Sequence, residues 1–251
     1  MNSFRIISLL CCSITLVAQE IITDRPDQTE SSSTIQKGNL QIESGFLLEF
    51  LGEDILYSER NLLAPTTLIR YGLLDFAELR IVSQIESVKN NSTSATGISD
   101  LEIGTKLQLL KKEESLLELA LLSHIIIPTG SKEVSSNTAG SINKLCVSHR
   151  SNTNISIAYN LGYNYFGSGK GDLTYSFVLG SRINDKASIY FEPYGEFIEF
   201  EDNVININSG ITYLLKNNFQ LDFSFGTGVN YTFNYTAIGF SWNIGDRIGY
   251  R

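Results

Sequence analysis

The feature that most constrains the fold of this chain is a repeated alternation of large apolar residues with small or polar ones. FQLDFSFG (219–226) has its apolar residues at odd positions, and so does ISIAYNLGYNY (155–165). Successive side chains of a β-strand point to opposite faces, so a period of two predicts a strand with one apolar and one polar face. We count about twelve such segments along the chain, which predicts an all-β protein.

The connections between these segments alternate in length. GLLD, KKEES, SNT, NDK and LKNN are short, whereas LGEDILYSERNLLA, SVKNNSTSAT and PTGSKEVSSNTAGS are longer and polar. Strands of near ten residues, with short turns on one rim and long loops on the other, are typical of outer-membrane barrels. The predicted strands span 39–50, 64–71, 76–86, 97–110, 116–127, 142–150, 154–165, 172–182, 187–197, 203–214, 219–228 and 235–244.

We therefore predict a closed antiparallel transmembrane β-barrel of about 12 strands, within a range of about 10 to 14. Its short turns and both termini would be periplasmic, and its longer loops extracellular. The sheet must close because the core of a bilayer offers no hydrogen bonds to an open sheet edge. The barrel would occupy residues 39–244, with a tail at 245–251.

The stretch TTLIRYGLLDFAELR (66–80) shows which face points where in such a barrel. Thr67, Ile69, Tyr71, Ala77, Leu79 and Ile81 would face lipid, and the charged residues between them would face the lumen. The same parity places Glu43, Glu49 and Lys144 inside. The charged residues that we predict to line the lumen are Arg70, Glu78, Arg80, Asp100, Glu102, Lys106, Glu118, Glu192, Glu196 and Asp222.

Two interpretations of this acidic lining stay open. It forms either a solute path whose charge selects what enters, or a packed interior of ion pairs that holds the barrel in shape. Twelve strands lie between the small barrels that side chains fill and the large barrels that leave a channel. A soluble β-sandwich or lipocalin-like barrel is a further alternative, with its apolar face inside. In such a fold, glycines such as Gly162 and Gly210 would lie on the solvent face of their strands, where glycine is disfavoured.

The N-terminus predicts export. Arg5 followed by IISLLCCSITLVA and ending at Ala18 is typical of a cleaved signal peptide over residues 1–18. A retained anchor is the alternative, but the apolar run is shorter than the ~20 residues of a spanning helix. Cys146 is the one cysteine beyond the signal, so no intramolecular disulfide is expected. The formal net charge of −8 argues against a nucleic-acid partner.

Residues 19–38 precede the first strand and have no strand pattern. Pro26 excludes a central strand position, and the short polar side chains of TDRPDQTESSS favour turns. We expect this segment to fold back into the periplasmic mouth as a plug, with Arg25 paired to a lining carboxylate such as Glu78 or Glu102. A solvated tail is the alternative. The motif residues are Asp24, Arg25, Pro26, Asp27 and Glu30.

Several stretches together resemble the bacterial family of transporter-like outer-membrane proteins named for a MetA pathway of phenol degradation. They are ITDRPDQTESSSTIQKGNLQIESGF, TTLIRYGLLDFAELR, ISDLEIGTKLQLL, IIPTG, GITYLLKNNFQLDFSFGTGVN and AIGFSWNI, and the most specific is Thr23 to Ser31. The resemblance implies an outer-membrane barrel that passes small, often hydrophobic, compounds. One departure is the tail IGDRIGYR after Phe240 and Trp242, where such barrels usually end on an aromatic residue.

These observations predict a passive channel that needs no cofactor, with outer-membrane lipid and a small solute as its partners. Pro193 lacks a donor for the ladder and marks a place where hydrophobic solutes would leave sideways. The alternatives are a sealed structural or adhesive barrel whose outer loops bind a ligand, and an exported soluble binding protein. Catalysis is not expected, because Ser123 and His124 would point to opposite faces of one strand. With His149 as the other histidine, a transition-metal site is not expected either.

Overall fold

The computed structural model describes residues 21–53, 56–90, 92–111, 117–149 and 154–245. Within these ranges there are thirteen strands and no helix, and so none long and apolar enough to cross a membrane. The predicted signal peptide and residues 246–251 of the predicted tail lie outside the described residues. The strands are β1 (Leu40–Glu53), β2 (Leu56–Leu74), β3 (Ala77–Asn90), β4 (Ser94–Ile98), β5 (Leu101–Leu110), β6 (Leu117–Ile127), β7 (Gly140–His149), β8 (Ile155–Tyr165), β9 (Asp172–Arg182), β10 (Ala187–Ile198), β11 (Asp202–Lys216), β12 (Phe219–Gly228) and β13 (Thr232–Ile244).

All of these strands except β4 form one closed antiparallel barrel. Each pairs with its neighbours in sequence, and β1 closes the sheet by pairing with both β2 and β13. The predicted closed barrel of twelve strands is confirmed. The thirteenth strand, β4, pairs with the outer end of β3, from Ile85 opposite Ile98 to Lys89 opposite Ser94. The sequence had suggested one strand over 97–110, but Ser99 and Asp100 separate β4 from β5.

The strands β1 and β2 extend further than the alternation predicted. Most of residues 51–64, expected to form a loop, continue these two strands, and β2 has 19 residues where β5 has 10. This pair therefore projects beyond the rim that carries the loops. On that rim, residues 128–139 connect β6 to β7 and residues 199–201 connect β10 to β11. Residues 75–76 and 217–218 are short turns on the opposite rim. We call these the loop rim and the turn rim.

The two faces of the barrel have the predicted chemistry. Outward residues such as Phe46 and Ile125 are 58% and 59% exposed, as expected for a surface that meets lipid rather than water. In β2 and β3, Leu79 and Ile81 are exposed outside, while Arg70, Glu78 and Arg80 are at most 1% exposed inside. Ala77 departs from its predicted exposure because this small residue is covered at the start of β3.

Parity did not predict that parts of the interior are apolar. One cluster joins Ala120, Leu122 and Cys146 with Ile142 against them, on β6 and β7. A second joins Phe233, Tyr235 and Ala237 with Leu47 and Leu51, on β13 and β1. The lumen is therefore lined by charged residues on some strands and by hydrocarbon on others.

Candidate functional site in the barrel lumen

The site begins with the N-terminal segment, residues 21–39, which enters the barrel and returns to the same rim. The Ile21 amide donates to the carbonyl of Asn217 (2.9 Å) in a turn of the turn rim. The Gly38 amide donates to the carbonyl of Gly72 (2.8 Å), near the same rim. Because both ends lie at one rim, the residues between them form a loop that reaches into the lumen.

Asp24 is a buried charge of this segment and lies among three basic residues. Its Oδ2 atom is 2.6 Å from Arg80 Nη1, 2.8 Å from Lys106 Nζ and 3.1 Å from Arg70 Nη1. The backbone amide of Asp24 also donates to Glu43 Oε2 at 3.0 Å. Although burial opposes ionisation, the positive charges of Arg70, Lys106 and Arg80 hold the pKa of Asp24 well below its usual range.

The register of the sheet brings these basic residues together. Arg70 and Arg80 are direct neighbours across β2 and β3, and Glu78 is opposite Lys106 across β3 and β5. Side chains at such facing positions on one side of a sheet lie close together. These residues point inward, as predicted, and lie in one row on the wall. Asp24 is the partner that the three basic residues share.

Wall carboxylates complete this cluster. Glu78 Oε1 is 2.9 Å from both Arg70 Nε and Arg80 Nη1, and Glu43 Oε1 is 2.9 Å from Arg70 Nη1. Glu78 Oε2 accepts a bond from the Ile35 amide at 2.7 Å, which fixes the returning part of the segment. Buried charges are tolerated where they are paired and hydrogen-bonded, as they are here.

Arg25 pairs with a predicted lining carboxylate, as expected, but the two examples named for it were wrong. Its guanidinium binds neither Glu78 nor Glu102 but Asp222 on β12, with 2.9 Å between Nη2 and Oδ1. Glu78 is already bound to Arg70 and Arg80, whereas Arg25 lies between β12 and β2, where its Nη1 also donates to Thr66 Oγ1 (3.3 Å). Gly239 of β13 makes room for it, since a methyl group there would collide with the Arg25 guanidinium.

The middle of the segment binds the wall through neutral groups. The backbone amide of Gln28 donates to Glu192 Oε2 (2.9 Å), and the Thr29 hydroxyl donates to Glu192 Oε1 (2.5 Å). Thr29 also bonds the Ser176 hydroxyl (2.8 Å). With its amide oriented to fit, Asn160 accepts from the Glu30 amide at 2.7 Å and donates to its carbonyl at 3.1 Å.

Of the remaining predicted lining residues, three lie inside the barrel. Glu118 accepts from the Ser33 hydroxyl (3.1 Å), and Glu102 lies 2.9 Å from Nδ1 of His124. Glu196 lines a cavity on the loop-rim side. The placement of Asp100 in the lumen was wrong, because it precedes β5 on the loop rim. There it binds loop 128–139 through the Gly130 amide (3.0 Å) and the Ser135 hydroxyl (2.6 Å).

Pro26 and Asp27 border the largest of four cavities around the segment. This cavity of about 750 Å³ opens toward the turn rim. Two cavities of about 200 and 300 Å³ lie on the other side, toward the loop rim. Gln28 lines both of these, and Arg25 lines the largest cavity as well as the one of about 300 Å³, so the segment lies between the cavities at the two ends of the lumen.

The geometry around His124 bears on catalysis. His124 Nε2 accepts from Arg80 Nε at 3.0 Å, whereas the Ser123 hydroxyl donates to Asn143 Oδ1 at 2.7 Å. Their side chains point to opposite faces, so they form no nucleophile and base pair. Within the part of the chain that the structure describes, no three His, Cys, Asp or Glu residues are grouped to hold a metal ion.

Sequence reasoning missed the neutral anchors Thr29, Asn160, Ser176 and Asn208. Each of the three wall residues lies at an inward position of its strand. The alternation therefore marked them as inward, but only their pairing with the segment distinguishes them from other polar lining residues.

Comparisons with known proteins agree with this architecture. Residues 23–244 match the family described as Putative MetA-pathway of phenol degradation. The fold is similar to the COG4313 outer membrane channel from Pseudomonas putida F1, with a TM-score of 0.70 at 11% identity over 85% of this chain and 98% of that one. It is also similar to the KdgM porin in complex with disordered oligogalacturonate, with a TM-score of 0.56 at 12% identity over 80% and 98%. No curated protein sequence matches the chain.

Proposed function

Because the chain belongs to the family of the Putative MetA-pathway of phenol degradation, we propose that it is an outer-membrane channel through which small solutes pass down their gradients. The observation that carries this proposal is the closed barrel with an exposed apolar outer face and a polar lumen. Such a surface is stable in hydrocarbon, and closure leaves no unpaired sheet edge there. The similar solved structures include a channel and a porin.

Export with a cleaved signal peptide over residues 1–18 is part of this proposal. In this arrangement the turn rim lies in the periplasm, as the short turns of other outer-membrane barrels do. The N-terminal segment then acts as a plug that enters from the periplasmic side. Its ion pairs with Arg70, Arg80 and Lys106 hold it in the lumen, and its displacement would widen the path.

The solutes that we propose are small and partly hydrophobic. The lumen has hydrocarbon as well as charge on its wall, and Leu122 and Ile142 line the cavity of about 300 Å³ beside His124 and Lys144. Mixed walls of this kind suit a compact molecule that has an apolar body and a few polar groups. No catalytic step is part of this function.

A sideways exit for hydrophobic solutes has one structural basis. The pairing of β10 with β9 runs from Phe191 opposite Leu179 directly to Tyr194 opposite Ser176, and skips Glu192 and Pro193. Proline has no N–H group to donate there. This is the place in the described wall where we expect the barrel to open most easily toward the membrane.

The many contacts between the N-terminal segment and the barrel wall favour a second function. If the segment never moves, the protein is a structural or adhesive barrel with a sealed lumen and ligand-binding outer loops. Steady single-channel currents of the purified barrel in planar bilayers are the expected result for the channel. A correctly folded barrel that carries no current, in membranes where a known porin conducts, would support the sealed barrel.

Fractionation of the cells tests the location independently. We expect the protein in the outer-membrane fraction, and recovery in the soluble periplasmic fraction would contradict both membrane functions. The same preparation gives the mature N-terminus by mass spectrometry, with cleavage after Ala18 as the expected result.

A further inference from the structure

Two cavities approach the N-terminal segment from opposite ends of the lumen and meet along the same strands. On β9, Ser176 lines the cavity of about 200 Å³ and Val178 lines the cavity of about 750 Å³. These are successive inward residues, so the cavities are separated there by about 7 Å. On the segment, Gln28 lines the first and Asp27 the second. We call this boundary the seam: Asp27, Gln28, Ser176, Val178 and Glu192.

Beside the seam lie buried polar atoms without a well-formed hydrogen bond, although the Tyr190 and Tyr235 hydroxyls lie close to that of Ser224. They are Tyr190 Oη, Asn208 Oδ1, Ser224 Oγ and Tyr235 Oη, in residues that are 8%, 2%, 0% and 4% exposed. The tyrosine rings lie over two glycines, since a methyl group at Gly210 would meet Tyr190 and one at Gly226 would meet Tyr235. Unpaired buried polar groups are costly, and water or a passing solute would supply the missing bonds.

The opposite edge of the segment differs in kind. There Asp24 and Glu30 form ion pairs with Arg80 and Lys106, and Arg70 is bonded to Glu78 and Glu43. Opening a path along β2, β3 and β5 would separate several buried charges. Opening the seam breaks the bonds of Gln28 and Thr29 to Glu192 and that of Thr29 to Ser176.

Building on the proposed channel, we propose that ions and small solutes cross the N-terminal segment through the seam, and that Glu192 makes this passage selective for cations. Asp27 and Glu192 bring two carboxyl groups to the seam, where Glu192 accepts from the Gln28 backbone amide and the Thr29 hydroxyl. No basic residue is among the five that form the seam: Arg25 lines the cavity of about 750 Å³ but is paired with Asp222, and Lys144 lines the cavity of about 200 Å³. Acidic groups at a constriction favour cations because they replace part of the hydration of a positive ion.

Crosslinking the seam tests the path. Thr29 and Ser176 have hydroxyls 2.8 Å apart, so cysteines at both positions suit a disulfide. In a Cys146→Ala background, we expect oxidation of Thr29→Cys/Ser176→Cys to reduce the single-channel current to near baseline, with recovery on reduction. The matched control is Ser44→Cys/Thr67→Cys, a hydroxyl pair 3.1 Å apart between β1 and β2. Full current through the completely oxidised seam pair would overturn the proposed path.

Glu192→Gln tests the selectivity without a crosslink and keeps the size of the side chain. In a KCl gradient we expect the ratio of K⁺ to Cl⁻ permeability to fall several-fold, while Glu133→Gln in the exposed loop 128–139 leaves it unchanged. An unchanged ratio in Glu192→Gln would overturn the role of Glu192. Heat-modifiable migration in gels shows that each barrel is folded. A folded wild-type barrel that carries no current would instead contradict the proposed function itself.

Discussion

Replacing Asp24 by Asn is the perturbation whose effect follows most directly from the structure. The substitution keeps the shape of the side chain but removes a charge that is 7% exposed and lies within 3.1 Å of Arg70, Arg80 and Lys106. Removing one partner of a buried ion pair costs about 3–5 kcal/mol. Glu43 and Glu78 still neutralise part of the positive charge, so we take the lower value of about 3 kcal/mol. Since about 1.4 kcal/mol is a factor of ten, the docking equilibrium of the segment should weaken about 100-fold.

Hydrogen exchange measures this equilibrium in the folded barrel. We expect the amides of residues 24–35 to exchange about 100-fold faster in Asp24→Asn, with the barrel strands unchanged. Asp27→Asn is the matched control in the same segment. Burial and the negative charge of Glu192 raise the pKa of Asp27 well above its usual range, so removing this charge should slow exchange. Equal acceleration in both variants, or none in Asp24→Asn, would refute the reasoning.

Three further predictions concern pH, the packing of Arg25 against Gly239, and loop 128–139. Because the pKa of Asp27 is raised in the docked segment, docking is strongest at low pH and weakens as the pH rises through that pKa. Single-channel current should therefore fall as the pH is lowered, and Asp27→Asn should lose this response. Gly239→Val should displace Arg25 from Asp222 and accelerate exchange at residues 23–29, and a rate equal to wild type would contradict the close approach. Asp100→Ala should accelerate exchange in loop 128–139 and leave conductance unchanged, since hydrogen bonds from that loop lower the pKa of Asp100 to about 2. The charged and titratable groups around Asp27 are Glu192 and Tyr190 of β10, Tyr235 of β13, Arg25, Asp24 and Glu30 of the segment, and His149 of β7 and Arg182 of β9 across the cavity.

The barrel could be predicted because its rule is local. Alternation assigns each strand residue to a face, and it placed Arg70, Glu78, Arg80 and Lys106 inside, as the structure has them. Asp100 was misplaced because parity holds only within a strand, and β5 begins one residue later. Parity also says nothing about size or polarity, which is why the apolar cluster around Leu122 was not foreseen.

The contacts of the N-terminal segment could not be predicted in the same way. Its residues have no periodicity, so their partners depend on how the chain crosses the lumen. Arg25 and Asp222 are far apart in sequence, and several carboxylates inside the barrel were equally plausible partners for Arg25. The choice follows from the crowding of Glu78 by Arg70 and Arg80 and from the space at Gly239.

We propose above that the N-terminal segment controls passage through the barrel. The most direct test is the single-channel conductance of the barrel that lacks residues 20–33, measured beside the wild type. The deletion removes Asp24, Arg25 and Thr29 and joins the cavities on both sides of the segment. We predict a several-fold larger and steadier conductance. A folded deletion variant with the conductance of the wild type would contradict the account.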